Sequence, residues 1–354
     1  MERLKKALGH LFIDGLSAMA QGLFATLIIG TIIAQIGTFI GGTFGNYIVL
    51  LGKVAQSLTG AGIGIAVANK FKETPMVMIS AGTAGMVGAF ASKILAGTLL
   101  AEGAVLYSGP GEPLGAFLAA YVGILIGHLV GGKTKIDILV TPLVTIGSGS
   151  VVGLILGPPI SKFMGWLGSL INWGTEQQPL LMGIVVSVLM GMILTLPISS
   201  AALGIILNLS GLAAGAATIG CCCNMVGFAV ASYRENKVGG LVAQGIGTSM
   251  LQVPNIVKHP LIWIPAILSS AILGPISTVL LHMTSNATGS GMGTAGLVGP
   301  IMSWQTMIQT ESAGIVLIKI LVMQIILPAA LTLGISEFMR KRGWIKSGDM
   351  KLEL

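Results

Sequence analysis

Two carboxylates, Glu176 in Gly174-Thr175-Glu176-Gln177-Gln178-Pro179 and Glu311 in Gln309-Thr310-Glu311-Ser312, lie in polar segments between long apolar runs. Ionisable groups among apolar helices are costly to keep in lipid, so each is a candidate for function. A carboxylate accepts several hydrogen bonds at once, which suits the hydroxyls of a polyol. Glu311 fits a solute ligand and a solvated surface group equally. Glu176 follows Trp166 and Trp173, which favours an interfacial belt. Thr248, Ser249, Gln252 and Asn255 form a third polar patch, uncharged and set in apolar sequence. These four suit hydrogen bonding to a neutral hydroxylated solute, or to backbone groups freed in a hairpin.

Other reactive residue types are present without the spacing that chemistry needs. His10, His128, His259 and His282 have no Ser, Cys or Asp partner at a readable distance, so a hydrolytic triad has no support. His259, beside Lys258 and before Pro260, reads as the start of a helix at the cytoplasmic side. Cys221-Cys222-Cys223 is a single run with no second ligand cluster, and reads as small apolar packing. Lys53, Lys93 and Lys319 lie within or near apolar runs and read as cations snorkelling to an interface. No catalytic residue, metal ligand or cofactor site is expected.

The elements that must hold these residues are membrane helices. Hydrophobic residues make up 53% of the 354 and charged residues only 9%, against about 25% charged in a soluble domain. The mean hydropathy is +0.91. Five spans are expected at 16–39, 44–68, 76–101, 113–131 and 138–158, with further solid runs at 261–281 and 313–335, each near the roughly 20 residues that cross a bilayer. The 52 glycines let helix backbones approach closely. The net charge of +7 does not point to nucleic acid, because Lys and Arg gather at span ends. That asymmetry puts both termini, Lys70–Lys72, Lys133–Asp137 and Tyr233–Lys237 in the cytoplasm and Glu102–Glu112 outside. The count of crossings then requires re-entrant pieces. The candidates are within 180–232, broken at Pro197–Ser200 and Asn208–Gly211, and in the Gly-, Ser-, Thr- and Pro-rich stretches 239–260 and 283–311. Residues 1–14 are an amphipathic lead-in and 339–354 a cytoplasmic tail, both too short to fold alone, so one membrane domain fills 1–354.

Gly245-Ile246-Gly247-Thr248-Ser249 running into His259-Pro260-Leu261-Ile262-Trp263-Ile264-Pro265 resembles the membrane (IIC) subunits of bacterial phosphotransferase-system sugar transporters. In those subunits a Gly-Ile-Thr-Glu-Pro hairpin leads to an Asn-Pro-apolar-Ile-Pro helix start. Phe12-Ile13-Asp14-Gly15 and the first span are similar to that family's entry helix. The chain also looks close to the perfringolysin-regulator type, a IIC domain without attached IIA or IIB domains. The resemblance implies an all-α polytopic membrane protein of about 8–10 transmembrane helices with re-entrant hairpins, in the cytoplasmic membrane of a bacterium. It also implies a homodimer, a small polar and sugar-like solute moved by a hairpin-bearing part of the fold, and separate IIA and IIB phosphocarrier partners. The family's hairpin glutamate corresponds to Thr248 and its hairpin histidine to Ser199, so hydroxyls replace both strongly polar groups. That departure keeps a second reading open, a membrane regulator or sensor without coupled phosphorylation.

Overall fold

The apolar runs fold as helices, and glycine and proline set where they stop. The computed structural model describes residues 10–101, 103–107, 109–198 and 200–352. The chain forms two compact units, Met1–Gly165 and Trp166–Leu354.

The first unit contains α1 (Leu16–Ile40), α2 (Gly42–Ser57), α3 (Thr59–Lys70), α4 (Pro75–Ala89), α5 (Ala91–Leu95), α6 (Pro113–Val130) and the beginning of α7 (Asp137–Thr175). The connection from α1 to α2 turns on Gly41 at φ 66°, a left-handed conformation that costs glycine little. The expected span 44–68 is bent by 50° between α2 and α3. Thr74 starts α4 by accepting the Val77 N–H at 3.4 Å, with Pro75 in the first turn.

Reciprocal glycine pairs join these helices. A Cβ at either member of Gly30/Gly52, Gly37/Gly45, Gly60/Gly85 or Gly88/Gly115 would run into the other's carbonyl oxygen. The backbones therefore touch, as close helix packing by small residues requires.

Two expected boundaries shift. The span placed at 76–101 ends with α5 at Leu95, because Gly97 turns left-handed at φ 69°. Leu100–Ala101 then pairs with Ala104–Val105 in a two-residue antiparallel ladder. Lys93 therefore lies in the last turn of a short helix, its ammonium 5.5 Å from the centre of the Phe90 ring. The helix that begins at Asp137 does not stop near residue 158 but runs through Pro158 and Pro159 to Thr175.

Glu112 precedes α6, with its backbone N–H on the Ala89 carbonyl at 2.8 Å. Its Oε1 is shut off from solvent without a hydrogen-bond partner. Burial pushes this carboxyl up to about 7 against an ordinary 4.5, with the Leu114 backbone pulling weakly the other way. The folded state therefore holds a proton that the unfolded chain releases at lower pH. Stability is full below about 4.5 and declines as pH rises towards about 7. At about 1.36 kcal/mol per unit the loss is on the order of 3 kcal/mol. Thermal unfolding in detergent from pH 4.5 to 8 should show the decline in the natural protein and a flatter profile in Glu112→Gln. Parallel profiles would contradict it.

The second unit holds α8 (Pro179–Thr195), α9 (Ser200–Ile206), α10 (Gly211–Ala231), α11 (Tyr233–Val242), α12 (Val253–Lys258), α13 (Pro260–Leu280), α14 (Ala287–Ser290), α15 (Val298–Met307) and α16 (Ala313–Lys341). Helix α10 is its axle, with Ala213 to Ala229 buried without interruption. The three cysteines lie there fully buried, as packing residues. A Cβ at Gly220 would collide with the Ser187 carbonyl of α8, and one at Gly274 with the Gly183 carbonyl, so α10 and α13 both press on α8.

The irregular stretches are broken as the sequence reading requires. Helix α9 has 7 residues, roughly 10 Å, far short of a bilayer crossing. Between α11 and α12 the chain is extended at Thr248 (φ −158°, ψ 140°), so 239–260 is not one helix. Between α14 and α15 it turns through Gly293, Gly296 and Leu297, all at positive φ. Among the described residues, six helices are long and apolar enough to span a membrane, and the bent α2–α3 pair makes a seventh. Helices α4 and α8 are apolar but shorter. The protein is an all-α, multi-pass membrane protein.

Candidate functional site

All the residues singled out for solute contact fall in the second unit, and the structure distributes them over separate places. The hairpin break positions the first of them. Thr248, 4% exposed, uses its hydroxyl to accept the Met250 N–H at 3.2 Å and so starts the turn Ser249–Gln252. That turn aims Ser249, fully buried, at Thr195 on the last turn of α8, with the two hydroxyls 2.8 Å apart.

Asn224 of α10 is the centre of the arrangement. Its Oδ1 accepts from the Thr195 hydroxyl at 3.1 Å and from the Trp263 indole N–H at 2.9 Å. Its Nδ2 donates to the Gly220 carbonyl at 3.1 Å and reaches the Ser270 hydroxyl at 3.5 Å. Five polar side chains from α8, α10, the hairpin and α13 thus meet in the apolar centre of the unit. A buried network of this kind is stabilising only when its members are satisfied. Here they satisfy one another. The Trp263 indole also shows what the His259–Pro265 segment does: it brings a hydrogen-bond donor over the centre of α10.

Gln252 and Asn255 belong elsewhere, on the second arm of the hairpin. Gln252 Nε2 donates to Gln244 Oε1 at 2.9 Å and to the Met350 carbonyl at 3.0 Å. Asn255 Nδ2 donates to Gln252 Oε1 at 2.8 Å and to the Lys351 carbonyl at 2.9 Å. Both amides bind the C-terminal tail. Glu311 is paired with Lys319 at 2.7 Å, and the same ammonium donates to the Leu281 carbonyl at 2.8 Å. Lys319 is thus an ion-pair member with its side chain 18% exposed, not a snorkelling cation. Glu176 is exposed in the turn after α7, close to the exposed Trp173. Ser199 lies outside the described residues; its neighbour Ser200 donates to the Gly291 carbonyl at 2.6 Å.

Asn224, Thr195, Trp263 and Ser270 were not singled out from the sequence. The available signal was a lone Asn in Cys221-Cys222-Cys223-Asn224-Met225 within an apolar span, a costly polar group by the same rule that marked the carboxylates. A groove of about 370 Å³ lined by Val230, Leu241 and Leu333, with Arg234 and Glu337 at its edge, shares no residue with this network. Its walls are apolar and unsuited to a polar solute. No group of three or more His, Cys, Asp or Glu that could hold a metal ion exists among the described residues.

The fold and the buried hairpin network can be compared with known families. No curated protein matches the sequence. The model of the family described as "Phosphotransferase system, EIIC" matches residues 13–352, through both units and every hairpin. The chain therefore belongs to the phosphotransferase-system EIIC family.

Proposed function

We propose that this protein is the translocating membrane component of a phosphotransferase-type system for a small polar, sugar-like solute. The observation that carries the reading is the hairpin tip itself. An interrupted membrane segment delivers Ser249 to Thr195 and Asn224 inside an otherwise apolar bundle. Helix-breaking backbone at membrane depth is tolerated only where it serves a cavity or packs in protein. Hydroxyl and amide groups at this point recognise hydroxyls through exchange of hydrogen bonds, with Trp263 as an indole platform. In this reading Ser249, Thr195 and Asn224 open to the solute, while Thr248 shapes the turn. Ser199, Glu176, Gln252, Asn255 and Glu311 stay as candidates for the wider solute path. Translocation moves the hairpin-bearing unit, the protein works as a homodimer in a bacterial cytoplasmic membrane, and separate IIA and IIB proteins supply phosphate.

The experiment is a thermal-shift screen of the purified protein against sugars, polyols, sugar phosphates and organic acids, followed by uptake of any hit into vesicles. A neutral hydroxylated solute should raise Tm in a concentration-dependent way. Stabilisation by organic acids alone would overturn the substrate class. The second reading, a membrane sensor, is favoured by one observation: every donor of Asn224 is satisfied internally. A hit that stabilises the protein but never enters vesicles would select it.

The charge asymmetry places Tyr233–Lys237 in the cytoplasm and the Ala104 loop outside. Ala104 and Lys237 are both exposed. Single cysteines there, with Cys221–Cys223 replaced by alanine, should label from opposite sides with an impermeant thiol reagent. Labelling from one side would overturn the orientation.

A further inference from the structure

The C-terminal segment after α16 folds back onto the hairpin. Helix α16 ends in Arg340 and Lys341 with Arg342 as its cap, and Gly343 at φ 74° reverses the chain, with the Trp344 N–H returning to the Met339 carbonyl at 3.0 Å. Asp349 then accepts the Lys346 N–H at 2.7 Å and fixes a second turn. The segment is held by its apolar side chains: Ile345 is 2% exposed, Met350 0% and Leu352 9%. Ile345 and Met350 pack with Phe228, Ile256, Ile262 and Ala266.

Its polar contacts are selective in kind. Three amides from both arms of the hairpin bind its backbone and none of its side chains. Asn236, on α11, donates to the Met350 carbonyl at 2.8 Å and accepts the Leu352 N–H at 2.8 Å. Gln252 and Asn255, on the second arm, donate to the Met350 and Lys351 carbonyls. His259 Nε2 lies 3.6 Å from Asp349 Oδ1. A carboxamide has two N–H donors. Gln252 spends one on Gln244 and one on the tail; Asn255 spends one on Gln252 and one on the tail. With the tail in place, neither amide has a donor left for a solute.

We propose that residues 343–352 are a strap that ties the two arms of the 233–259 hairpin together, and that the hairpin tip moves only after the strap lets go. Gln252 and Asn255 are then positioning residues whose amides pass from strap to solute path. The inference rests on the reading of this hairpin as the moving element.

The test puts a reporter cysteine at Ser249, which faces Thr195 and makes no contact with the strap among the contacts described above. Cys221–Cys223 are replaced by alanine, and labelling by a membrane-permeant maleimide is followed in the full-length protein without any solute. Asn236→Ala combined with Asn255→Ala should raise the labelling rate about tenfold at unchanged Tm-defined folded fraction, and a stop after Arg342 should raise it further. Asn255→Cys with Lys351→Cys, oxidised to a disulfide, should hold the rate at or below that of the intact strap. An unchanged rate in the Asn236/Asn255 double variant overturns the strap, whether or not the truncated chain folds. Because labelling needs no solute, a protein that transports nothing can still confirm or refute it.

Discussion

Asn224→Leu is expected to weaken solute binding and to cost roughly 1–3 kcal/mol of stability, although leucine matches asparagine closely in size and is at home in an apolar span. The cost comes from what asparagine leaves behind. Trp263, partly buried, has Asn224 Oδ1 as the acceptor of its Nε1–H at 2.9 Å, and a donor left without a partner away from water costs about 1–3 kcal/mol. Thr195 is less affected, because its hydroxyl also reaches the Gly191 carbonyl at 3.2 Å and Ser249 at 2.8 Å. A second substitution separates the orphaned indole from the lost solute contact. Trp263→Phe deletes the donor, so Asn224→Leu in that background should cost less than in the natural protein, and the two changes should be clearly non-additive. Solute binding should fall roughly 2- to 13-fold in both backgrounds, since a hydrogen bond lost from the site, worth about 0.5–1.5 kcal/mol, is not restored by removing the indole. Thermal unfolding with and without the solute identified by screening measures both quantities. If Asn224→Leu keeps the full solute-induced shift in Tm, the solute site is not at this network.

Most of the fold was legible because lipid imposes simple rules. Length and apolarity located α1, α6, α13 and α16, and the need to re-enter drew attention to the breaks at 197–200 and 208–211 and to the stretches 239–260 and 283–311; α10 lay inside a stretch, 180–232, whose crossings the count left open. The errors arose where a rule about lipid met a local exception. The apolar run through Leu99, Leu100 and Ala101 reads as span, yet the left-handed turn at Gly97 takes it into a short ladder. The span expected at 138–158 is only part of α7, which passes through Pro158 and Pro159 to Thr175. The site was legible only in part. Ser249 stood out as a polar residue in apolar sequence, but Asn224 did not, beside three cysteines that read as packing. Gln252 and Asn255 stood out by polarity, but nothing local foretells that the carbonyls of Met350 and Lys351 come back to meet them. Glu311 and Lys319 are eight positions apart, beyond the spacings that reveal helical ion pairs in sequence.

A far greater separation in sequence hides the most buried ion pair of the unit, and it should give the largest loss of stability of any single charge removal. Glu235 and Arg340 meet at 2.9 Å with side chains only 6% and 10% exposed. Arg340 also donates to the Ala231 carbonyl at 3.1 Å, and the Gly348 N–H approaches Glu235 Oε1 at 3.4 Å. The pair therefore joins the end of α10, the base of the hairpin and the strap. Removing one partner of a buried pair typically costs about 3–5 kcal/mol, because the other charge stays buried and uncompensated. Arg340→Met should cost this much, measured by thermal or denaturant unfolding in detergent. Glu235→Gln added to it should recover a large part, because the second change removes the stranded charge. Arg234 and Glu337 provide the control: they also meet at 2.8 Å, but the Arg234 side chain is 69% exposed. Solvent-exposed pairs contribute about 0–1 kcal/mol, so Arg234→Met should be nearly neutral. The outcome that sinks this account is Arg340→Met costing no more than Arg234→Met. In that event water reaches Glu235 in the membrane-embedded protein, and the base of the hairpin is more open than its contacts describe.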